Sequence, residues 1–375
     1  MDLTAKAPQY SLFSVPEGED LKLTGNVKGT KALAWKYSSP QLEVRLGTIA
    51  ALILKDFEWD SAAHGLKVDI TTELDLAKLQ NMAPVQGRIK LHAPVANEGG
   101  KTTATVDGSF EGLGVAEFVA PVTPITLKGA VSYDSATKGG GGTDLVLACG
   151  SGTSFTSPSW KASAKPASLE LPYTFETDFL PLIEMGLFKD AKGKASFSGT
   201  MNLVEGKPAG SMSADIQAEL IALEAAGTTL NGLSAKGSFG GGAGYAGSGD
   251  LTLAKLVVMG VPLQDIKGPF QMENGVLKSA ALEGLCCDGT VAATASAGLL
   301  VNGMPLDITA QFKGVNLASL IREMGLPSIQ IAGLADGDLT VKAGAEGLRD
   351  FRLNLTSTQG LEVSRVLIDR LLTSQ

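Results

Sequence analysis

Charge, aromatic side chains, histidine and cysteine are all scarce in this chain of 375 residues. Charged residues make up 19% of it, below the roughly 25% of an ordinary soluble domain, and aromatic residues make up 6%. The net charge of −8 and the lack of a basic stripe argue against a nucleic-acid partner. No run of about 18 apolar residues occurs, so the sequence predicts no membrane-spanning helix.

The chemically versatile side chains are few and scattered. The two histidines, His64 and His92, have no carboxylate or metal ligand at a suggestive spacing. The three cysteines, Cys149, Cys286 and Cys287, form neither a disulfide framework nor a zinc pattern, and we interpret them as small apolar residues within strands. We therefore predict that the protein is not an enzyme and has no catalytic, cofactor-binding or metal site.

The dominant positive signal is alternation of apolar and polar residues, supported by 46 glycines that favour tight turns. Residues 306–312 read Leu-Asp-Ile-Thr-Ala-Gln-Phe, and residues 169–175 read Leu-Glu-Leu-Pro-Tyr-Thr-Phe. Successive side chains of a strand point to opposite faces, so each segment has one apolar and one polar face. We predict a mainly β fold: a long curved antiparallel sheet, forming a β-groove or β-sandwich of repeated modules, with a few short capped helices.

Turn residues separate many of these segments. The Asn-Gly pairs at positions 231–232, 274–275 and 302–303 each suit a type I′ hairpin turn. The glycine-rich stretches 139–142 and 240–249 indicate flexible loops or weak sheet edges.

Short helical patterns near residues 75–82, 178–186 and 316–324 interrupt the strands. In the clearest, Asn316 suits the N-cap, an apolar stripe follows at helical spacing, and Gly325 suits the C′ position. Asp178 is the corresponding cap of the middle pattern. We expect N-terminal β modules over 1–165, β repeats over 166–360 and an amphipathic helix over 361–375.

The N-terminus has no basic segment followed by an apolar core, so it does not read as a signal peptide. Two interpretations stay open: a cytoplasmic protein, or an excised segment of a longer one. The repeated β organisation favours the second.

Residues 315–343 (VNLASLIREMGLPSIQIAGLADGDLTVKA) resemble the C-terminal repeats of AsmA-like proteins, where a short capped helix precedes a glycine-bearing strand. Residues 260–268, 272–277 and 282–291 are similar to the turns and strands of the same repeats. The resemblance covers about 165–372 well and 20–120 loosely. Within the AsmA, TamB and YdbH superfamily it is nearest the YdbH-like branch, which carries the label of a dicarboxylate transport domain.

The resemblance implies a Gram-negative envelope protein that is anchored to the inner membrane by a helix outside this chain and crosses the periplasm towards the outer membrane. Its partners would be phospholipid acyl chains, shielded by an apolar β-groove. Inward residues of the clearest strands are the groove candidates: Leu169, Leu171, Tyr173, Phe175, Leu306, Ile308, Phe312, Leu339, Val341, Phe351, Leu353 and Leu355.

Two alternatives stay open at this point. The same apolar residues can form a closed β-sandwich core instead of an open groove. The chain can then be a structural or adhesive β-repeat scaffold with no lipid ligand. An enzyme or small-molecule carrier is the third class, and a buried cluster of ionisable groups would favour it.

Overall fold

The computed structural model describes residues 2–5, 9–10, 13–14, 20–31, 35–79, 85–115, 118–119, 122–164, 166–185, 189–205, 207–223, 228–240, 246–258, 260–298, 305–325, 331–344, 347–357, 360 and 362–363. Of these, 82% lie in strands. The prediction of a mainly β, antiparallel fold with short helices is confirmed. The chain divides into unit 1 (Met1–Met185 and Gly199–Pro208) and unit 2 (Gly186–Ser198 and Ala209–Gln375).

Unit 1 contains the first fifteen strands, one 3₁₀ helix (Leu76–Leu79) and the helix α1 (Leu180–Glu184). The strands are β1 (Asp2–Ala5), β2 (Gln9–Tyr10), β3 (Phe13–Ser14), β4 (Leu21–Gly25), β5 (Lys28–Lys31), β6 (Trp35–Leu46), β7 (Ala50–Asp60), β8 (Gly65–Asp75), β9 (Val85–Glu98), β10 (Lys101–Val115), β11 (Phe118–Val119), β12 (Ile125–Asp134), β13 (Gly139–Cys149), β14 (Thr153–Ala164) and β15 (Ala167–Thr177).

The main sheet of unit 1 follows the order of the chain. Its strands run β4-β6-β7-β8-β9-β10-β12-β13-β14-β15, each antiparallel to the next. Short connections suffice because consecutive antiparallel strands need only a tight turn. This part of unit 1 is therefore an antiparallel meander.

Unit 2 contains the remaining strands and the helix α2 (Leu317–Glu323), and strands β16 and β17 have residues in both units. The strands are β16 (Asp190–Val204), β17 (Lys207–Leu223), β18 (Thr228–Gly240), β19 (Ala246–Val258), β20 (Val261–Glu273), β21 (Val276–Cys286), β22 (Gly289–Gly298), β23 (Leu306–Asn316), β24 (Ile331–Ala332), β25 (Leu334–Gly344), β26 (Gly347–Ser357) and β27 (Glu362–Val363).

The core of unit 2 is a contiguous cluster of buried side chains on one face of strands β19–β25. Helix α2 contributes Leu317 and Leu320 to this cluster, and both are buried. Leu339 and Val341 of β25 are each only 1% exposed. Helix α2 packs against β20, β23 and β24, so its two leucines complete part of this buried cluster.

Helix α2 forms as the sequence predicts. The Asn316 side-chain oxygen accepts a hydrogen bond from the backbone N–H of Ser319 at 3.2 Å, which satisfies one of the free amide groups at the helix start. Gly325 has φ +70°, the left-handed conformation that ends helices.

The other two helical patterns are only partly correct. In α1 the N-cap is Phe179, at φ +67°, and not Asp178, whose carboxylate accepts from the Leu180 N–H at 3.2 Å. Near 75–82 the described residues form only the 3₁₀ turn Leu76–Leu79. Of the predicted C-terminal helix over 361–375, residues 362–363 form strand β27, and 361 and 364–375 lie outside the described residues.

Asn274-Gly275 is a hairpin turn as predicted, with φ values of +52° and +76° between β20 and β21. The prediction at Asn231-Gly232 is wrong, because both residues lie inside β18. There Asn231 is paired on both sides, so the ladder of two neighbouring strands outweighs a local turn preference. The pair at 302–303 lies outside the described residues.

The glycine-rich stretches are strand rather than loop wherever they are described. Residues 139–142 begin β13, so the predicted loop there is wrong. A Cβ on Gly142 would overlap both the backbone carbonyl of Ala130 on β12 and the ring of Trp160, which is paired with Gly142 on β14. Glycine is thus required there by the close approach of a neighbouring backbone and an aromatic ring. In the second stretch, Gly240 ends β18 and Ala246 begins β19, and 241–245 lie outside the described residues.

Candidate functional site

One face of the unit 1 sheet is apolar across ten strands. Directly paired residues of antiparallel strands project to the same side, so the pairing register traces rows across the sheet. One row, here called the central row, crosses the ten strands from β4 to β15 with apolar side chains at eight positions. It consists of Leu23, Val44, Leu52, Thr72, Leu91, Gly108, Leu127, Leu147, Phe155 and Phe175. We call this side of the sheet the apolar face.

Two matching bulges bend the strands of this sheet. At each, a serine precedes a proline, and the serine hydroxyl donates to the carbonyl two residues on. Ser39 donates to Gln41 at 3.0 Å and Ser157 donates to Ser159 at 3.1 Å. Both serines are at most 2% exposed. The bulge accommodates proline, which has no N–H to give to the ladder, and it shifts the alternation by one residue.

Because of these shifts, the register decides which side chains share a face. Leu54 pairs with Ile70, whereas Trp59 pairs with Leu66. Leu66 and Ile70 lie four residues apart in the regular strand β8 and so point to the same side. Leu54 and Trp59 therefore both belong to the apolar face although an odd number of residues separates them.

Most side chains of the apolar face are half-buried rather than buried. Within the described part of unit 1, the buried aliphatic, aromatic and cysteine side chains are Ile49, Val68, Cys149 and Phe179. By contrast, the unit 2 cluster contains sixteen buried residues. The apolar face of unit 1 thus keeps hydrocarbon in contact with solvent along its length.

The opposite face of unit 1 is polar and charged. Cross-strand ion pairs lie on it, including Lys90 with Glu73 at 4.0 Å and Lys128 with Asp107 at 3.9 Å. These pairs are exposed and contribute little to stability. They keep this side of the sheet hydrated, so one face of the sheet is polar and the other is apolar.

Four of the predicted groove residues lie on the apolar face. Leu169, Leu171, Tyr173 and Phe175 are half-buried on β15. The ring of Tyr173 stacks on that of Phe155 on β14, with centroids 5.7 Å apart. The structure therefore brings these four side chains onto a continuous, partly open surface.

The other eight predicted residues lie in unit 2, in strands β23, β25 and β26. Phe312, Leu339 and Val341 are buried in the cluster to which α2 contributes. Ile308, Phe351, Leu353 and Leu355 are partly buried and pack against it, and Leu306 is half-buried. At least Phe312, Leu339 and Val341 therefore lie in a filled core, as the closed β-sandwich alternative expects.

Most of the apolar face was not among the predicted residues. The strands β7 to β14 carry threonine, alanine and glycine between their leucines and valines, which weakens the alternation. Trp160 follows the Ser157 bulge and falls out of phase with Phe155. The pairing of neighbouring strands shows that Trp160 lies on the apolar face. The sequence of a single segment does not contain that information.

A cleft of about 480 Å³ opens on the apolar face between β10, β12, β13 and β14. Tyr133 and Trp160 form its walls, Gly140 and Ala162 lie between them, and Lys138 contributes at the rim. Trp160 pairs with Gly142 of β13, whose missing side chain makes room for the indole. The cleft combines an apolar lining with one cation.

A larger cleft of about 710 Å³ includes residues of the opposite face of unit 1. Its lining includes Glu58, Lys67 and Asp69 together with Thr103 and Thr143. The described residues contain no group of three or more side chains placed to hold a metal ion. The lining contains charged and hydroxyl side chains, but it has no cluster of buried polar groups directed at one point.

The thiols are poor nucleophiles in this environment. Burial raises the pKa of Cys286 to about 12, and burial also raises the pKa of Cys149 and of the neighbouring Cys287. The thiolate is the reactive form, so at neutral pH these cysteines stay protonated.

No protein-family model, no curated protein and no solved structure matches the chain. Among the described residues, no helix is both long and apolar enough to cross a membrane. What the fold defines is an antiparallel β protein with one half-exposed apolar face.

Proposed function

We propose that unit 1 holds the acyl chains of phospholipids on its apolar face, as part of a cell-envelope protein that shields lipid between the inner and outer membranes. The observation that carries the proposal is the central row, which crosses ten strands with apolar side chains at eight positions while most of the face is only half-buried. A contiguous apolar surface that stays in contact with solvent is typical of a binding surface.

The energetics suit reversible binding. Each CH₂ group that leaves water contributes about 0.8 kcal/mol, so a chain of about a dozen groups gains roughly 10 kcal/mol on full burial. A sheet face covers one side of such a chain and recovers about half, roughly 5 kcal/mol. Such a gain holds a chain without trapping it.

The strands satisfy their own polar backbone while they present this surface. Backbone hydrogen bonds run between neighbouring strands, so no unpaired N–H or C=O group needs to face hydrocarbon. The opposite face keeps its charges in water.

The resemblance of residues 315–343 to AsmA-like repeats supports the cellular setting. On this proposal the protein works in the periplasm, is anchored to the inner membrane, and reaches outer-membrane contacts through parts outside this chain. The described α2 has the capped geometry on which the resemblance rests.

Unit 2 favours a second role within the same protein. Its apolar side chains form a buried cluster to which α2 contributes two leucines, with Leu339 and Val341 1% exposed. A structural scaffold needs such a filled core, so we propose that this core stabilises the chain and that unit 1 binds lipid.

The test uses a matched pair of substitutions on β12. Leu127 lies in the central row, and its neighbour Thr126 is exposed on the opposite face. The purified chain is mixed with a phospholipid that bears a fluorescent acyl chain, and bound lipid is measured after gel filtration. Leu127→Glu places a carboxylate under the acyl chain and should lower the affinity by about tenfold or more.

Thr126→Glu should leave binding unchanged, because it adds the same charge on the wet side. Circular dichroism should show that both variants keep the strand content of the parent chain. Absence of lipid binding by the parent chain, or equal effects of the two variants, would leave only the scaffold role.

A further inference from the structure

Aromatic side chains concentrate at one end of the strands on the apolar face. All three tryptophans of the chain lie there, at positions 35, 59 and 160, together with Tyr37 and Tyr133. The register joins Tyr37 to Trp59 and continues through Leu66, Asn97 and Thr102 to Tyr133. We call this end of the sheet the aromatic edge.

The rings of the aromatic edge contact one another and are partly exposed. Trp35 and Tyr37 lie with centroids 5.8 Å apart, and Tyr37 and Trp59 lie 5.5 Å apart. Trp35 is 43% exposed and Tyr133 is 48% exposed. Tryptophan and tyrosine have an apolar body and a polar tip, so they favour the boundary between hydrocarbon and water.

Cations accompany the rings at this edge. The Lys31 ammonium lies 5.2 Å from the centroid of the Trp35 ring. Lys138 reaches the rim of the Tyr133 and Trp160 cleft from the turn between β12 and β13. No salt bridge within the described part of the chain involves Lys138.

Two acidic side chains at this edge of the sheet already have partners. Asp134 accepts the Ala136 N–H at 2.8 Å within its own turn. Asp60 accepts the Ala62 N–H at 2.9 Å and pairs with Lys36 at 2.8 Å. Lys138 is therefore available to an anion that arrives at the edge.

The strands are longer than a lipid acyl chain. The eight residue steps from Thr102 at the aromatic edge to Phe110 at the far end span about 26 Å at roughly 3.3 Å per step. The chains of one leaflet occupy about 15 Å, half of the ~30 Å hydrocarbon core of a bilayer. A whole acyl chain can therefore lie along the strands with its headgroup at the edge.

We propose that a phospholipid lies along the strands of unit 1 with its phosphate at the aromatic edge, where Lys138 binds the phosphate and the Tyr133–Trp160 cleft holds the first part of the acyl chain. This inference rests on the proposed function and adds an orientation and a phosphate-binding residue. An anionic lipid fits the edge better than an uncharged one because of charge complementarity.

The experiment compares three probes on the purified chain by isothermal titration calorimetry: myristoyl lysophosphatidylglycerol, myristoyl monoacylglycerol and inorganic phosphate. Lys138→Gln should weaken lysophosphatidylglycerol binding by about tenfold, as expected for one charged hydrogen bond. It should leave monoacylglycerol binding unchanged, since that probe has the same chain and no phosphate. Inorganic phosphate alone should not bind measurably.

The matched control is Lys161→Gln. Lys161 directly follows Trp160 on β14 and is exposed on the opposite face, so both lipid affinities should stay at the parent value. Trp160→Ala should weaken both lipid probes, because it removes a wall of the cleft.

The outcomes separate the two proposals. If both lipids bind and Lys138→Gln changes neither affinity, the orientation is wrong and acyl-chain binding stands. If phosphate alone binds with the same dependence on Lys138, the site is a free-phosphate site and the inference is overturned. If neither lipid binds the parent chain, the proposed function fails as well.

Discussion

Truncating one leucine in each unit tests whether the two apolar faces differ as the burial indicates. Leu339→Ala removes a side chain that is 1% exposed in the unit 2 core. Such a change leaves a cavity and should cost about 3 kcal/mol of unfolding free energy. Leu52→Ala removes a half-buried side chain from the central row of unit 1. Water fills the space, so only about half of the transfer term is lost, about 1 kcal/mol.

Urea titration followed by circular dichroism measures both changes, with the slope of the transition checked against that of the parent chain. Tryptophan fluorescence adds a local reading, because all three tryptophans lie in unit 1. A loss of about 3 kcal/mol for Leu52→Ala would refute the reasoning, since a cost of that size requires a closed core around the leucine.

Three further predictions follow from named contacts. Asn316→Ala removes the cap that accepts from Ser319 and should cost about 1 kcal/mol in thermal or urea unfolding, whereas Asn316→Asp should retain most of that stability. Gly142→Val should displace the Trp160 ring and change its fluorescence and near-ultraviolet circular dichroism; an unchanged spectrum would contradict the packing. With a pKa of about 12, Cys286 should not react with a thiol reagent at pH 8 in the folded chain, and it should react once urea exposes it and returns the pKa to its ordinary value.

The sequence predicted the fold class and one helix well because those signals are local. Alternation over residues 306–312 is enough to predict a strand, and Asn316 with Gly325 is enough to define the ends of α2. Asn274-Gly275 formed its turn for the same reason.

The failures share a cause in pairing between strands. Asn231-Gly232 carries the same turn signal, yet neighbours on both sides hold it in β18. The bulges at Ser39 and Ser157 shift the alternation, so reading one strand alone puts the aromatic side chains beyond them on the wrong face.

The predicted groove residues fall into a buried group and a half-buried group for a related reason. Phe312 and Phe175 look alike in their alternating segments, but Phe312 is buried in the unit 2 cluster, while Phe175 lies half-buried at the end of the central row. Whether an apolar face is covered depends on what packs against it, and alternation does not encode that. Sequence therefore indicates which residues face inward, and tertiary packing decides which of them remain open.

Site-specific photocrosslinking tests the central claim most directly. A photoreactive amino acid is placed at position 91, in the central row of β9, or at the next position, 92, on the opposite face. Each chain is irradiated with phospholipid, and crosslinked lipid is identified by mass spectrometry. The account predicts lipid adducts from position 91 and few from position 92. Equal yields at the two positions, or none at position 91 with a folded chain, would contradict it.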